Sequence, residues 1–159
     1  MKFPNKLIIT LKDAVSKIPL IDHIIFLQIF APRKNDYNIG PRLTNNLGQV
    51  IFTETEVKDD IDWIMNQAIM DYSGKYEECS SDFNVILSSV ENIRRSLDFL
   101  DLYKEFDERY LKALSLMKKA NNRNLLVQKW KYNAELLILK DGIAQIECLA
   151  DITKYTNEI

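Results

Sequence analysis

Apolar residues follow two different patterns along this chain of 159 residues. In the first third they form short runs that are rich in β-branched residues and separated by turn residues, which is typical of strands. These runs predict strands at residues 6–12, 23–31 and 49–54, with a long polar loop at residues 32–48. Because the run at 23–31 is apolar on both faces, it predicts a central strand that is covered on both sides.

After residue 58 the apolar positions recur every three or four residues, which predicts amphipathic helices. A short helix is predicted to begin at Asp59 or Asp60, because either carboxylate can cap it. This helix is predicted to run to Tyr72 and to end at Gly74.

Two longer helices are predicted beyond the short one. The first begins at the capping cluster of residues 80–82 and carries an apolar stripe as far as Met117. After a turn at residues 120–124, the second repeats apolar positions in steps of four and three from Tyr132 to Thr153, which is a heptad seam. Packed against each other, they predict a hairpin with arms of about 50 Å.

The predicted fold class is therefore α+β, with a small N-terminal antiparallel β-sandwich-like unit followed by a short helix and a long C-terminal α-helical hairpin. The predicted domains are residues 1–58 for the β unit and residues 59–159 for the helical region. The prolines agree with this boundary, because all four lie within the first 41 residues and helix interiors exclude proline.

The charges divide at the same boundary. Residues 1–58 carry 8 basic and 5 acidic groups, whereas residues 59–159 carry 13 and 18. The net charge of -2 argues against a chain that coats nucleic acid. No apolar stretch approaches the ~20 residues of a membrane span, and the N-terminal residues lack a signal-peptide core. The sequence therefore predicts a soluble, cytoplasmic protein with no membrane span.

Candidate catalytic and metal-binding residues are few. His23 is the single histidine and has no acid–cysteine or acid–serine companion, so a strand-end histidine is favoured over a general base. Cys79 and Cys148 could pair only if the fold brought them together, and two buried free thiols are favoured. The acidic pair Glu77 and Glu78 is interpreted as a solvated loop. No familiar nucleotide-binding, hydrolase or metalloprotease motif occurs. The sequence predicts no enzymatic activity, no cofactor and no metal.

The stretch T-N-N-L-G-Q-V-I-F at residues 44–52 resembles the T-D-x-x-G-x-V-x-F turn and strand of transthyretin-like β-sandwich modules. These include the Cna-B-type and carboxypeptidase-regulatory-like domains. Residues 18–30 resemble the P-x-x-x-x-V-x-V strand of the same modules. Gly48 can adopt the positive φ that the turn requires, which leaves Val50 and Phe52 to face the core. The resemblance spans roughly residues 5–58 and implies a binding or structural module, without the isopeptide bond of some members.

Between Glu108 and Glu135 the chain has no acidic residue and gathers basic and aromatic residues at the predicted hairpin tip. The tip is predicted to contact an anionic partner, which could be an acidic protein surface, nucleic acid or lipid headgroups; a solvated basic face is the alternative. With apolar positions of the heptad seam, the predicted partner-binding residues are Lys118, Lys119, Arg123, Lys129, Trp130, Lys131, Leu136, Leu139 and Ile143.

These features predict a non-enzymatic protein–protein interaction or scaffold module that binds another protein or a second copy of itself. The alternative is a small regulatory or immunity-type inhibitor that binds and occludes one partner enzyme. A stable dimer would favour the scaffold, whereas a monomer with one tight heterologous partner would favour the inhibitor.

Overall fold

The computed structural model describes residues 1–32, 35–67, 76–87, 128–137 and 142–151. These residues form seven strands, two α-helices and one 3₁₀ turn. In chain order the elements are β1 (Lys6–Asp13), β2 (Ile24–Ala31), β3 (Asn35–Leu43), β4 (Gln49–Thr53), α1 (Glu54–Gln67), the 3₁₀ turn (Tyr76–Glu78), β5 (Asp82–Leu87), β6 (Gln128–Asn133), α2 (Ala134–Leu137) and β7 (Ile143–Ala150).

The seven strands form two sheets. β1 lies at the centre of a three-stranded sheet of order β4-β1-β7, antiparallel to β4 and parallel to β7. The other sheet has the order β3-β2-β5-β6 and is antiparallel throughout. Side chains from both sheets belong to one core cluster, so the sheets pack face to face.

Alternation along the strands places one face of the three-stranded sheet in the core. Leu7, Ile9 and Leu11 of β1 are fully buried, whereas the residues between them face outward. Val50 and Phe52 of β4 are 4% and 0% exposed, which confirms the sequence-based expectation that they face the core.

β2 and β5 are the central strands of the four-stranded sheet. Their core faces carry Leu27 and Val85, which lie opposite each other in the register. Phe26 and Ile86 also lie opposite each other, on the outer face, yet they are only 1% and 2% exposed. Burial of both faces confirms the prediction of a doubly covered central strand at residues 23–31, and it gives β5 the same character.

The predicted α+β class with a long C-terminal α-helical hairpin is wrong. In the helical region predicted for residues 59–159, the described residues form strands β5, β6 and β7, and helix is confined to α1, α2 and the 3₁₀ turn. Tyr72, Gly74 and the turn at 120–124 lie outside the described residues. Both sheets take strands from either side of residue 58, because β1 pairs with β7 and β2 pairs with β5.

The physical reason for the error is visible in β7. Its buried positions alternate strictly and are filled mainly by small residues, Ala144, Cys148 and Ala150, with Ile146 among them. The exposed Ile143 together with the buried Ile146 and Ala150 then gives a spacing of three and four residues that imitates a helical stripe. Gly142, which would sit inside the predicted helix, has a φ of +71° and precedes the strand.

Two further expectations change. The predicted loop at 32–48 contains β3, whose pairing with β2 shifts by one residue between Ile25 and Leu27, where Gly40 has a φ of +122°. The shift is a β-bulge, which tolerates the glycine and proline that made this stretch resemble a loop. α1 begins at Glu54 rather than at Asp59 or Asp60.

Candidate functional site

The predicted partner-binding residues form neither a helical seam nor a hairpin tip in the described structure. Lys129, Trp130 and Lys131 lie in β6, Leu136 lies in α2 and Ile143 is the first residue of β7. The other predicted positions lie outside the described residues: Lys118, Lys119, Arg123 and Leu139.

These residues also point in different directions. Trp130 packs against the core cluster, so its strand neighbours Lys129 and Lys131 lie on the outer face of the four-stranded sheet. Ile143 lies in the three-stranded sheet, where it is 41% exposed. Among the described members of the set, Lys129 and Lys131 therefore lie on one sheet and Ile143 lies on the other.

A different set of exposed apolar side chains lies on two adjacent connections, residues 14–23 between β1 and β2 and residues 44–48 between β3 and β4. Val15, Ile18, Ile21 and Leu47 are 82%, 62%, 46% and 63% exposed. We call these four residues the aliphatic loop surface. Large aliphatic side chains of this exposure, gathered in two neighbouring connections, are a feature of interaction sites.

Hydrogen bonds fix the first connection at its tip. The Asp13 carboxylate accepts from the Ser16 hydroxyl at 2.6 Å and from the Ser16 amide at 3.0 Å, and these bonds lower the pKa of Asp13. The Asp13 carbonyl accepts from the amide of Lys17, and the Asp13 amide donates to the carbonyl of Ile18 at 2.9 Å. The turn that presents Val15 and Ile18 is therefore closed by its own backbone.

Thr44 joins the two connections. It is 1% exposed, and its hydroxyl donates to the Leu20 carbonyl at 2.6 Å while accepting from the His23 amide at 2.9 Å. Its backbone accepts from the amide of Asp22 and donates to the carbonyl of His23. The hydroxyl of one buried side chain thus hydrogen-bonds to backbone groups of the first connection from within the second. Buried polar groups need such hydrogen-bond partners.

The second connection depends on an asparagine and a glycine. The Asn45 side-chain oxygen accepts from the amides of Leu47 and Gln49. Gly48 has a φ of +71°, and a Cβ there would lie 2.7 Å from the carbonyl oxygen of Leu11. Only glycine fits this corner, where the chain passes from one sheet to the other.

Two residues of the first connection adopt left-handed backbone conformations without being glycine. Lys17 has a φ of 62° and Asp22 has a φ of 59°. Such residues cost of order 1 kcal/mol each and persist where the surrounding structure holds them. Lys17 and Asp22 are the charged residues within the two connections, and the Asp13 carboxylate lies at the start of the first one.

Burial favours the neutral forms of His23, beside this surface, and of the two core cysteines. Burial lowers the pKa of His23, and the hydrogen bond with the Ile21 carbonyl and the charge of Asp22 oppose it only in part. Since the Ile21 oxygen is an acceptor, Nδ1 of His23 carries the proton. Burial also raises the pKa values of Cys79 and Cys148 to about 11.

Within the described ranges, no three His, Cys, Asp or Glu side chains gather as a metal site, and no helix is long and apolar enough to cross a membrane. Comparison of the chain with known protein families, curated proteins and solved structures finds no match.

Reasoning from the sequence missed the aliphatic loop surface. Its signal is the presence of Val15, Ile18 and Ile21 in the short segment between two predicted strands, where Pro19 interrupts regular structure. Apolar residues in a segment that cannot bury them by regular structure are candidates for a surface role.

Proposed function

We propose that this protein is a non-enzymatic binding module that recognises an apolar patch of another protein through its aliphatic loop surface. The observation that supports the proposal is the combination of four exposed aliphatic side chains with hydrogen-bonded connections that hold them in place. A loop that is ordered before binding loses little conformational entropy when it binds. More of the favourable free energy of its apolar contacts therefore remains as binding affinity.

A protein partner suits this surface better than a membrane does. Anionic membranes attract clusters of lysine and arginine, whereas the two connections carry one lysine and one aspartate. An apolar surface without a cluster of basic residues fits the centre of a protein interface, where charged residues are depleted.

The test compares surface variants with a matched control. Ile18→Ser combined with Leu47→Ser removes two side chains that are 62% and 63% exposed, so stability should change little. Leu136→Ser removes a still more exposed residue, 84% accessible, on a different element.

Proteins captured by the wild type and by Leu136→Ser, but not by the double variant, would be purified for titration calorimetry. The double variant should weaken binding by about a hundredfold, since each apolar contact at an interface centre is worth about 1–2 kcal/mol. Equal affinity of the double variant and the wild type for every captured protein contradicts the proposal. Binding to neutral or anionic vesicles that the double variant abolishes would contradict the choice of a protein partner.

A regulatory or immunity-type inhibitor is the alternative use of the same surface. Such a protein would form a complex of one copy with one partner enzyme and abolish the activity of that enzyme. Light scattering of the purified complex gives the stoichiometry, and an assay of the partner with and without this chain distinguishes inhibition from assembly.

The proposal of an anionic partner for the basic residues now concerns β6. Lys129 and Lys131 are exposed and lie on one face of that strand. Lys131 lies 3.9 Å from Asp82, a separation at which an exposed pair contributes little. Reversal of both lysine charges should weaken binding to a captured anionic partner, and unchanged binding would remove this proposal.

A further inference from the structure

The edge strands of the two sheets differ in how they are protected against pairing with an additional strand. β3 carries a bulge beside Gly40 and contains Pro41, and β6 carries Lys129 and Lys131. Bulges, proline and lysine are the usual protections of an exposed strand edge.

β4 is protected by side chains. The Arg42 guanidinium donates to the Ile51 carbonyl at 2.5 Å, and the Glu56 carboxylate accepts from the Thr53 amide at 3.2 Å. The amide and the carbonyl of Gln49 both bond to Asn45. The outward backbone groups of β4 are thus largely occupied within the molecule.

The hydrogen-bond register shows which backbone groups of β7 point outward. The Lys6 amide donates to the Gly142 carbonyl at one end of the β1–β7 pair, and the Ala14 amide donates to the Ala150 carbonyl at the other. In a parallel pair the bonded residues of one strand alternate. The even-numbered residues of β7 therefore bond to β1, and the odd-numbered residues direct their amides and carbonyls to the open edge.

Few of these outward groups have partners in the described structure. Tyr132 donates its hydroxyl to the Glu147 carbonyl at 3.4 Å, and the Gln128 side chain bonds to the amide and carbonyl of Asp151. The outward groups of Ile143, Gln145 and Leu149 have none among the described residues. β7 itself contains no lysine or proline, and its pairing with β1 has no bulge.

Two copies of the chain can pair through β7 in antiparallel orientation, with a twofold axis at Ile146. The outward residues of one copy are then complementary to those of the other. In that register Ile143 lies opposite Leu149 of the other copy, and Gln145 lies opposite Glu147 of the other copy. The side chains of these four residues are exposed on the outer face, with Ile143 at 41% and Leu149 at 37%. Each apolar residue meets an apolar one, and each amide meets a carboxylate it can donate to.

The neighbouring symmetric register, with the axis through Glu147, would place the two Glu147 side chains opposite each other and Gln145 opposite Leu149. These pairs are less favourable, even though each Glu147 carboxylate lies 3.1 Å from Lys12 of its own copy. The Glu147 carbonyl, already bonded to Tyr132, retains a second lone pair for the strand of the other copy.

We propose that β7 is a dimerisation edge, at which two copies of this chain pair antiparallel about Ile146 and join their three-stranded sheets into one continuous sheet. This proposal goes beyond the binding function of the aliphatic loop surface, because it uses a different element and a different kind of contact.

Sedimentation equilibrium of the purified chain over a wide range of concentration tests the association. The wild type should populate a dimer. Gln145→Pro removes an outward amide that bonds to nothing in β1, so the fold is retained while the dimer dissociation constant rises at least about tenfold. Circular dichroism and thermal melting check that this variant folds.

A pair of charge variants tests the register without any risk to the backbone. Gln145→Lys places an ammonium opposite Glu147 of the other copy and should tighten the dimer, whereas Gln145→Glu places two carboxylates together and should weaken it. The dissociation constants of the two variants should differ by about tenfold at low salt, and less at high salt. A heterologous or non-edge contact would not produce these opposite signs.

Hydrogen exchange gives an independent readout. In the monomer only the amides of even-numbered β7 residues should be protected; in the dimer those of Ile143, Gln145, Glu147 and Leu149 become protected as well. A wild type that is monomeric at every concentration overturns the proposal. A dimer indifferent to all three Gln145 variants, or one without new protection in β7, overturns it equally. The Ile18→Ser, Leu47→Ser variant should dimerise normally, so failure of the proposed function and failure of this proposal are distinguishable.

Discussion

Single polar side chains hold the connections of this protein in place. Thr44 bonds to Leu20 and His23 from a buried position, and Asn45 and Asp13 close the two turns beside it. Each side chain supplies hydrogen bonds to backbone groups that have no strand neighbour to bond with. The aliphatic loop surface therefore depends on three polar residues that are not part of it.

Thr44→Val tests this dependence, because valine has almost the same shape but offers no hydroxyl. We expect a loss of about 1–3 kcal/mol in the free energy of unfolding, since the Leu20 carbonyl and the His23 amide would remain unsatisfied. Urea titration measures the loss, and Thr44→Ser, which keeps the hydroxyl, is the control. Equal stability of Thr44→Val and the wild type would show that water replaces the hydroxyl.

His23 should make stability depend on pH. Because burial lowers its pKa in the folded state, the unfolded chain takes up the proton first as the pH falls below about 6.5. Stability contributed by neutral His23 is thus complete above pH 6.5 and declines below it, by at most about 1.4 kcal/mol per pH unit, until the folded state is protonated too.

His23→Asn keeps a side-chain donor near the Ile21 carbonyl but does not titrate. The difference in unfolding free energy between the wild type and this variant, measured by urea titration from pH 5 to pH 8, should change with pH in favour of the wild type as the pH rises. A difference that stays constant over this range would contradict the lowered pKa.

At the scale of the element, the start of α1 is the clearest local signal. Thr53 and Glu56 form a capping box: the Thr53 hydroxyl accepts from the Glu56 amide, and the Glu56 carboxylate accepts from the Thr53 amide, both at 3.2 Å. Partial burial would raise the pKa of Glu56, but the Arg42 charge and these bonds outweigh it and lower the pKa. The box ties the helix to the last residue of β4.

Thr53→Ala removes the cap and should cost about 1 kcal/mol of unfolding free energy. Thr53→Ser retains the hydroxyl and should lose much less, so the two variants separate the hydrogen bond from the lost methyl group. Thermal or urea unfolding followed by circular dichroism measures both. A serine variant as unstable as the alanine variant would assign the loss to packing rather than to the cap.

At the scale of the whole molecule, the joint core of the two sheets encloses both cysteines. Cys79 and Cys148 are free and are 5% and 0% exposed, as the preference for buried free thiols predicted from their spacing. Residues far apart in the chain surround them, since β7 brings Cys148 against β1 and Tyr132 lies 3.6 Å from its sulfur. Their protection therefore reports on the integrity of the complete fold.

A thiol reagent such as Ellman's reagent should label neither cysteine in the native protein and both after unfolding in guanidinium. With pKa values of about 11 and little exposure, the native thiols should react more than about a hundredfold slower than an exposed thiol. Leu136→Cys supplies that exposed thiol, at a site that is 84% accessible, and calibrates the rate. Rapid labelling of the native wild type would contradict the enclosed core.

The sequence by itself determined features that depend on neighbouring residues. The β-branched runs fixed strands β1, β2 and β4, Gly48 marked the turn, and alternation placed Val50 and Phe52 in the core. The capping box of Thr53 and Glu56 is also a local signal, but the sequence-based prediction begins the helix at Asp59 or Asp60. These signals are local, because dihedral preferences and side-chain alternation act within a few residues.

Only the tertiary structure decided the identity of β5 and β7. Apolar residues on both faces of β5 suit a helix as well as a strand, and the choice depends on β2 and β6 lying beside it. β7 becomes a strand because β1, at the other end of the chain, supplies its hydrogen bonds. A strand exists through partners that are distant in sequence, whereas a helix bonds within itself. The pattern along the chain therefore could not show which residues would find such a partner.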